Sequence, residues 1–317
     1  MRGFYHIAGV RRATIYSPNS VDKDAAIFLE VLKCLESLGH QVMVYDEADL
    51  SAGVVEERYI FNMVRSQMAI TQLQTLEQTG VVSINSGFGI EHCRRELMTT
   101  LLLNNNIPFA PSQIFNLVND QWSLSGAARA ERCLHQLYRD ETELERSSMV
   151  NGQWSTFNGP CWVKRADGHT VEQSDVMFVS EASRLSSVLD DFAQRGIYRV
   201  VISKHLPGDL VKFYGVSGTD FFHWFYPWEA QHSKFGNEEV NGIPTGISFS
   251  VEALQEICRQ ATEVLGVDVY GGDAVIATNG TIRLIDFNDW PSFSPCRLEA
   301  AKAIAKAIIQ KIERYDS

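Results

Sequence analysis

The chain has 317 residues, which at about 150 residues per domain suggests two compact domains or one domain of two lobes. Lys and Arg number 28 against 39 Asp and Glu, and the formal net charge of −11 argues against nucleic acid or anionic membranes as main partners, because binding phosphates requires clustered basic side chains. Hydrophobic residues make up 45% and charged residues 21% of the chain, a composition typical of an ordinary folded protein and not of a disordered one.

The first residues and the cysteines bear on location and redox state. The opening MRGFYHIAGVRR has no apolar core of signal-peptide length, and no later stretch approaches the ~18 apolar residues of a membrane span. We therefore expect a cytoplasmic protein without membrane contact. The cysteines form no C-x-x-C pair, which favours buried thiols over a disulfide framework or a zinc site. They are Cys34, Cys93, Cys133, Cys161, Cys258 and Cys296.

The first hundred residues alternate short β-branched runs with helical periods, a pattern typical of a parallel α/β layer. The predicted strands cover residues 13–17, 41–45 and 81–85. The first predicted helix begins at Asp22 and carries an apolar face that ends before Gly39, where a helix commonly stops. Further predicted helices cover residues 56–78, which Gly80 ends, and residues 91–104.

The pattern changes after residues 104–111, where Pro108 and Pro111 prevent a helix from continuing. Three hairpins are predicted, pairing residues 161–164 with 175–179, 211–216 with 219–225, and 274–278 with 281–288. Predicted helices cover residues 183–194, 251–265 and 298–312. The sequence thus predicts an α/β part followed by an α+β part, and we divide it into domains 1–108, 109–205 and 206–317.

The third hairpin carries the clearest chemical pattern. Its Asn279-Gly280 dipeptide is a strong cue for a two-residue turn, because that turn needs positive φ at both central positions. If Thr278 faces Thr281, Val275 faces Leu284 and Asp273 faces Asp286. Carboxylates directly opposite each other destabilise a sheet unless something offsets their charge.

A divalent cation is a natural offset for this pair. Side chains alternate along a strand, so Asn288 lies on the face of Asp286, diagonal to Asp273. Three oxygen ligands of this kind suit Mg²⁺, with Mn²⁺ as an alternative, completed by waters and substrate phosphates. The competing interpretation is that both aspartates are strand-end residues in solvent.

The segment Asp286-Phe287-Asn288-Asp289-Trp290-Pro291 resembles the last motif of the ATP-grasp superfamily, an acidic residue followed by an apolar residue, Asn, two variable residues and Pro. The resemblance implies an N-terminal parallel α/β lobe, a central antiparallel-sheet lid and a C-terminal α+β lobe that holds the metal. It also implies ATP and Mg²⁺ as cofactors. No G-x-x-x-x-G-K-[ST] segment offers a different route to a nucleotide.

Other segments resemble further superfamily motifs in the family's order, and the resemblance implies their roles. Arg95 takes the place of a basic residue that touches phosphate, although Lys is more usual there. Lys164, in PCWVKRADG, would contact the α- and β-phosphates, whereas the sequence alone leaves it equally open as a surface lysine. The lid loop that follows contains only Gly168, where many members are rich in glycine.

The segment RVVISKHLPGDLVKFYGV resembles the superfamily's hinge strand and the basic strand that follows it. The resemblance implies that adenine binds along the backbone of Ser203, Lys204, His205 and Leu206. It makes Lys212 a phosphate contact and Asp209 a weak candidate for a ribose contact.

The leading hypothesis is an ATP-dependent ligase that activates a small-molecule carboxylate as an acylphosphate for attack by an amine. The alternatives are a kinase resembling the inositol trisphosphate kinases of the same superfamily, and a nucleotide-binding module without turnover. A polyphosphorylated substrate needs extra basic residues, and the lid offers mainly Arg165 and His169, which ranks the kinase second.

Three further features of the sequence bear on function or assembly. Arg297 is a candidate clamp for a substrate carboxylate, or a solvated residue at a helix start. His223 is expected opposite Lys212 if the Ser217-Gly218 turn is tight, in a packing role. The aromatic run of residues 221–228 favours a sheet core or a subunit contact, so a homodimer stays open.

Overall fold

The structure is a computed structural model that describes residues 3–16, 20–118, 133, 159–167, 172–228 and 237–317. Its contacts divide the chain into two compact units. The first unit comprises Met1–Cys93, Leu101–Pro108 and Gly208–Ser317, and the second comprises Arg94–Thr100 and Phe109–Pro207. The three-domain division of the sequence stays a prediction.

A four-stranded parallel sheet in the order β2-β1-β3-β4 begins the first unit. Its strands are β1 (His6–Arg11), β2 (Gln41–Asp46), β3 (Tyr59–Asn62) and β4 (Val82–Ile84). The helices are α1 (Val21–Ser37), α2 (Glu47–Ser51), α3 (Gln67–Gln78), α4 (Gly87–His92) and α5 (Arg95–Asn104), of which α5 extends into the second unit. The predicted parallel α/β layer is confirmed.

Several predicted boundaries in this layer are wrong. Strand β1 lies before the predicted residues 13–17, in the opening segment for which the sequence pattern predicts no strand. Ser17 lies outside the described residues. The predicted helix of residues 56–78 contains β3, and α3 starts only after Ser66, whose hydroxyl accepts a hydrogen bond from the Ala69 amide. The predicted helix of residues 91–104 divides into the end of α4 and α5.

The remainder of the first unit is an antiparallel sheet in the order β10-β9-β11-β12 with two helices. The strands are β9 (Asp209–Val216), β10 (Phe222–Phe225), β11 (Val269–Ile276) and β12 (Ile282–Asp289), and the helices are α7 (Val251–Leu265) and α8 (Arg297–Tyr315). Both predicted hairpins of this region are confirmed. Helix α8 shares one apolar core with α1, since Ala300, Ile304 and Ile308 pack in the same cluster as Phe28 and Val31.

The second unit contains an antiparallel sheet in the order β5-β8-β6-β7. Its strands are β5 (Ser112–Asn116), β6 (Cys161–Arg165), β7 (Val176–Val179) and β8 (Arg199–Lys204), with helix α6 (Ala182–Gln194) packed against them through Leu185, Leu189 and Phe192. The β6–β7 hairpin and α6 match the predictions, whereas β5 was not predicted. Among the described residues, no helix has the length and apolar character to cross a membrane.

Candidate functional site

The hairpin of β11 and β12 closes through a loop that differs from the predicted turn. The Ala277 amide donates to the Thr281 carbonyl at 2.9 Å and the Gly280 amide donates to the Ala277 carbonyl at 2.8 Å. Gly280 has φ of +80°, so the loop has three residues and a left-handed glycine. Beyond it, Ile276 pairs with Ile282 and Val275 with Arg283, so the predicted pairing of Val275 with Leu284 is wrong.

A β-bulge corrects this register before the strands reach the aspartates. The register shifts between Asp273 and Ala274, and Ile285 is the extra residue on β12. Asp273 therefore pairs directly with Asp286, as the sequence predicts. The predicted pairing is confirmed, although it depends on a longer loop and a bulge that together replace the predicted tight turn.

A third strand, β9, places a lysine next to this pair of aspartates. Lys212 of β9 is the register partner of Asp273 on its other side, and its Nζ donates to Asp273 Oδ1 at 2.7 Å. The Lys212 side chain is 16% exposed and that of Asp273 is 21% exposed. On β12, Asn288 Nδ2 donates to Asp286 Oδ2 at 3.1 Å. We call Lys212, Asp273, Asp286 and Asn288 the polar row.

The opposite face of the same strands is an aromatic layer. The rings of Phe213, Tyr270 and Phe287 pack on one another, with Tyr270 and Phe287 stacked at 5.3 Å between centroids. Gly272 leaves room for this layer, since a Cβ there would lie 2.6 Å from the Phe213 ring. The layer fixes the three strands and thereby the spacing of the polar row.

The donor set of the polar row fits Mg²⁺. It offers two carboxylates and one amide oxygen, all hard ligands, and it places two negative charges opposite each other. In the described part of the chain, no group of three or more His, Cys, Asp or Glu side chains is gathered for a metal. A cation here would thus need further oxygen ligands from water or phosphate, which is the usual state of Mg²⁺ in phosphate chemistry.

Asp209, at the start of β9, has another set of partners. Its Oδ1 accepts from the Thr245 amide at 2.8 Å and its Oδ2 accepts from the Ile247 amide at 2.8 Å. Burial alone would raise the pKa of Asp209, but these hydrogen bonds outweigh it and the pKa lies below its ordinary value. Its ribose role stays a prediction, and its carboxylate holds the segment around Thr245 in place.

Arg297 begins α8, and its Nε is buried without a hydrogen-bond partner in the described part of the chain. His223 pairs with Tyr214, while Lys212 pairs with Phe225, so the predicted pairing of His223 with Lys212 is wrong. The reason is that the connection between β9 and β10 is longer than a tight turn, since β10 begins only at Phe222.

In the second unit, Lys164 is a buried residue of β6. It is 9% exposed and lies between Val176 of β7 and Val201 of β8, which rules out the surface-lysine interpretation. Arg95, at the first position of α5, donates from its NH1 to the carbonyl of Arg165 at 3.1 Å. Gly168 and His169 of the predicted lid loop lie outside the described residues.

The predicted adenine segment follows the end of β8. The amide of Lys204 donates to the Pro111 carbonyl at 2.9 Å and that of His205 to the Pro160 carbonyl at 3.1 Å. The buried hydroxyls of Ser203 and Ser112 are hydrogen-bonded to each other at 2.8 Å. An adenine bound along residues 203–206 would therefore need backbone atoms other than these two amides.

His205 also contacts the side chain of Trp162, whose Nε1 lies 3.2 Å from His205 Nδ1. The indole can only donate, so Nδ1 accepts and the imidazole is neutral with its proton on Nε2. Burial lowers the pKa of His205, which agrees with this neutral form.

Sequence reasoning missed a second ionic cluster at the carboxyl ends of the parallel strands. Arg12, after β1, donates to Asp24 at 2.8 Å and to the carbonyls of Met63 and Trp290. Arg65, after β3, forms an ion pair with Asp289, the last residue of β12. In open α/β sheets, ligands bind at this edge. Correct placement of β1 and β3 in the sequence would have pointed to both arginines.

No protein-family model matches the sequence, and none of the curated proteins matches it significantly. Solved structures are similar over nearly the whole chain. The D-alanyl-alanine synthetase A of Vibrio cholerae O1 biovar eltor is 10% identical, with 99% of this chain and 98% of that chain covered and a TM-score of 0.65.

Two further structures extend this comparison. The D-alanine–D-alanine ligase of Bacillus anthracis, complexed with ATP, is 12% identical, with 98% of this chain and 99% of that chain covered and a TM-score of 0.61. A RimK domain ATP-grasp protein of Sphaerobacter thermophilus is 11% identical, with 96% and 99% covered and a TM-score of 0.60. The chain has the ATP-grasp fold that the last sequence motif suggests.

Proposed function

We propose that this protein is an ATP- and Mg²⁺-dependent ligase that activates a small-molecule carboxylate as an acylphosphate for attack by an amine. The polar row carries the proposal, because it gathers a lysine, two carboxylates and an amide at the ATP-grasp motif. Of the similar structures, one is named a ligase and was solved with ATP, and another is named a synthetase.

In this proposal, Asp273, Asp286 and Asn288 hold the magnesium ion. When bound, the ion would withdraw charge from the terminal phosphates of ATP, which is its general contribution to phosphoryl transfer. Lys212 supplies a positive charge beside these ligands and neutralises the phosphate oxygens. The protein thus acts by positioning and electrostatics, and needs no covalent nucleophile.

Further residues are proposed to contact the nucleotide. The ammonium group of Lys164 and the guanidinium of Arg95 are assigned to phosphate, and residues 203–206 to adenine. Because Lys164 is held in a three-strand environment with little exposure, its charge is already desolvated and stronger toward an anion than that of a surface lysine.

Arg297 is the proposed contact for the substrate carboxylate. A guanidinium can bind a carboxylate through two parallel hydrogen bonds, and the Arg297 Nε has no such bond to the described residues. A guanidinium binds phosphate in the same way, so the products of the reaction, and not this contact, distinguish a carboxylate acceptor from a polyphosphate.

The test measures ADP release from ATP and Mg²⁺ with pools of small carboxylic acids and amines, in the wild type and in Asp286→Asn. We expect the substitution to lower turnover by at least about 100-fold, which corresponds to about 2.7 kcal/mol of barrier. The matched control is Asp268→Asn, which removes a carboxylate whose partner is Lys311, at 2.7 Å, outside the polar row. Full turnover in Asp286→Asn would contradict the proposal.

The products identify the reaction. A ligase releases inorganic phosphate together with a new amide, whereas a kinase leaves the phosphate on its acceptor. Absence of ADP with every acceptor, despite tight binding of ATP, would identify a binding module instead.

A further inference from the structure

The charge balance of the polar row singles out Lys212. Asp273 and Asp286 pair directly, where two like charges are unfavourable, and Lys212 Nζ lies 2.7 Å from Asp273 on the far side of the pair. Both partners of this salt bridge are mostly shielded from solvent, with side-chain exposures of 16% and 21%, so water screens it less than a surface pair. The ammonium group of Lys212 therefore provides Asp273 with the positive charge that a bound metal ion would otherwise provide.

We propose that Lys212 is a specificity-determining residue that makes this site reject a bare divalent cation and accept one that arrives with a polyphosphate. The inference rests on the proposed function and deepens it, since it assigns the form in which metal and nucleotide bind.

The charges of the polar row disfavour a bare divalent cation. Lys212, Asp273 and Asp286 carry +1, −1 and −1, a sum of −1 for these residues. A lone divalent cation changes that sum to +1 and competes with the ammonium group for Asp273 Oδ1. Where the cation binds that oxygen, it displaces the ammonium group and, unlike a phosphate, brings no acceptor for it.

The nucleotide changes this balance. A polyphosphate brings several anionic oxygens, which can accept hydrogen bonds from the ammonium group when it leaves Asp273. The lysine side chain has a flexible four-carbon stem and three rotatable donors, so it can move from a carboxylate to a phosphate without a change in the strand. The same residue thus opposes the bare cation and favours the cation with its phosphates.

The test uses Mn²⁺ alone as the first probe, followed through the electron paramagnetic resonance signal of the free ion. We expect Lys212→Met to lower the Kd for Mn²⁺ by at least about tenfold, and Lys212→Arg, which retains the charge, to stay near the wild type. The second probe is MgATP in equilibrium binding, whose Kd we expect Lys212→Met to raise by at least about tenfold. A merely structural lysine would not move the two constants in opposite directions.

Two variants control this experiment. Lys311→Met removes a lysine whose salt bridge to Asp268 has the same length of 2.7 Å in the same unit, and it should leave both constants unchanged. Asp286→Asn combined with Lys212→Met should abolish the gained Mn²⁺ affinity, which assigns the ion to the polar row.

Equal Mn²⁺ affinities in Lys212→Met, Lys311→Met and the wild type would overturn the inference, even if the wild type proves to be an active ligase. Conversely, opposite shifts of the two constants would support the inference even if no acceptor yields ADP, in which case the ligase proposal alone fails.

Discussion

The polar row contains two facing carboxylates, an arrangement that does not favour the stability of the fold. Asp286 faces Asp273 on the neighbouring strand, where two like charges repel, while Lys212 donates to Asp273 and the Asn288 amide donates to Asp286. Such an arrangement is expected where a protein uses charge for binding, because stability alone would favour a neutral pair.

This conflict predicts the effect of Asp286→Asn on stability. Asn can still accept from the Asn288 amide but carries no charge, so the free energy of unfolding should stay equal or rise by up to about 1 kcal/mol. Urea unfolding measures it. Asp268→Asn is the control and should not be stabilised, because it loses the salt bridge to Lys311. Destabilisation of Asp286→Asn alone would show that the carboxylate is structurally required.

His205 predicts a pH effect. Its pKa is lowered by burial, so at pH values between the folded and the ordinary pKa of about 6.5 the unfolded state binds the extra proton. Stability from neutral His205 is therefore present above that range and is lost as pH falls through it. His205→Gln should be less stable than the wild type at about pH 8, and the gap in unfolding free energy should narrow by about pH 5.

Urea unfolding of both proteins at these two pH values measures the gap. A gap for His205→Gln that stays constant with pH would contradict the neutral, buried state of that imidazole.

At the residue scale, the sequence predicts the residues of the polar row but not the contact of Lys212 with Asp273. Strand alternation is local, so the facing of Asp273 and Asp286 and the side shared by Asp286 and Asn288 were predictable. The contact of Lys212 with Asp273 joins residues 61 positions apart, and no local pattern encodes the pairing of β9 with β11.

Among the elements, the β11–β12 hairpin shows why a correct pairing can follow from an incorrect turn. Asn279-Gly280 predicts two turn residues, yet the loop takes three and moves the register by one position, which the bulge at Ile285 then restores. The loop type depends on Gly280 in the left-handed region, and bulges of this kind leave little mark in the sequence.

Gly280→Ala tests the loop. Alanine at a φ of +80° is strained, so the free energy of unfolding should fall by about 1 kcal/mol, measured by urea titration. Thr278→Ala, at an exposed position of the same loop, is the control and should change stability by less than about 0.5 kcal/mol. Equal effects in both variants would show that the loop tolerates another conformation.

The helices were predicted with unequal success for a physical reason. Helix α7 has a Ser250 cap that accepts from the Ala253 amide and a left-handed Gly266 at its end, and its predicted bounds agree with the structure. The sequence pattern predicts helix for strand β3, because a short apolar run is ambiguous between the two states and only its tertiary pairing with β1 and β4 decides.

On the scale of the whole molecule, the burial of the cysteines shows how well the cores are shielded from solvent. All six are free thiols; five are buried, and Cys34 is half-buried. Burial raises the pKa of Cys161 and Cys296 to about 12, so these thiols are unreactive in the native state. The sequence interpretation of buried thiols is confirmed for these five.

Thiol labelling with DTNB follows from this. At neutral pH the native protein should react at no more than one thiol in the first minutes, Cys34, and at all six in guanidinium chloride. Cys34→Ser is the control and should remove the early reaction. Rapid reaction of further thiols in the native protein would show that the cores open more readily than the packing indicates.

The first unit is assembled from separated stretches of chain, and this has a consequence for biosynthesis. Its parallel sheet shares a core with α8, and the Asn85 side chain binds the backbone of Asp268 and Val269. A ribosome releases the strands of that sheet while the residues that complete their core are still untranslated. The nascent chain must therefore carry an uncovered apolar face of α1 until Arg297–Tyr315 emerges, and during that interval it is a natural client for a chaperone.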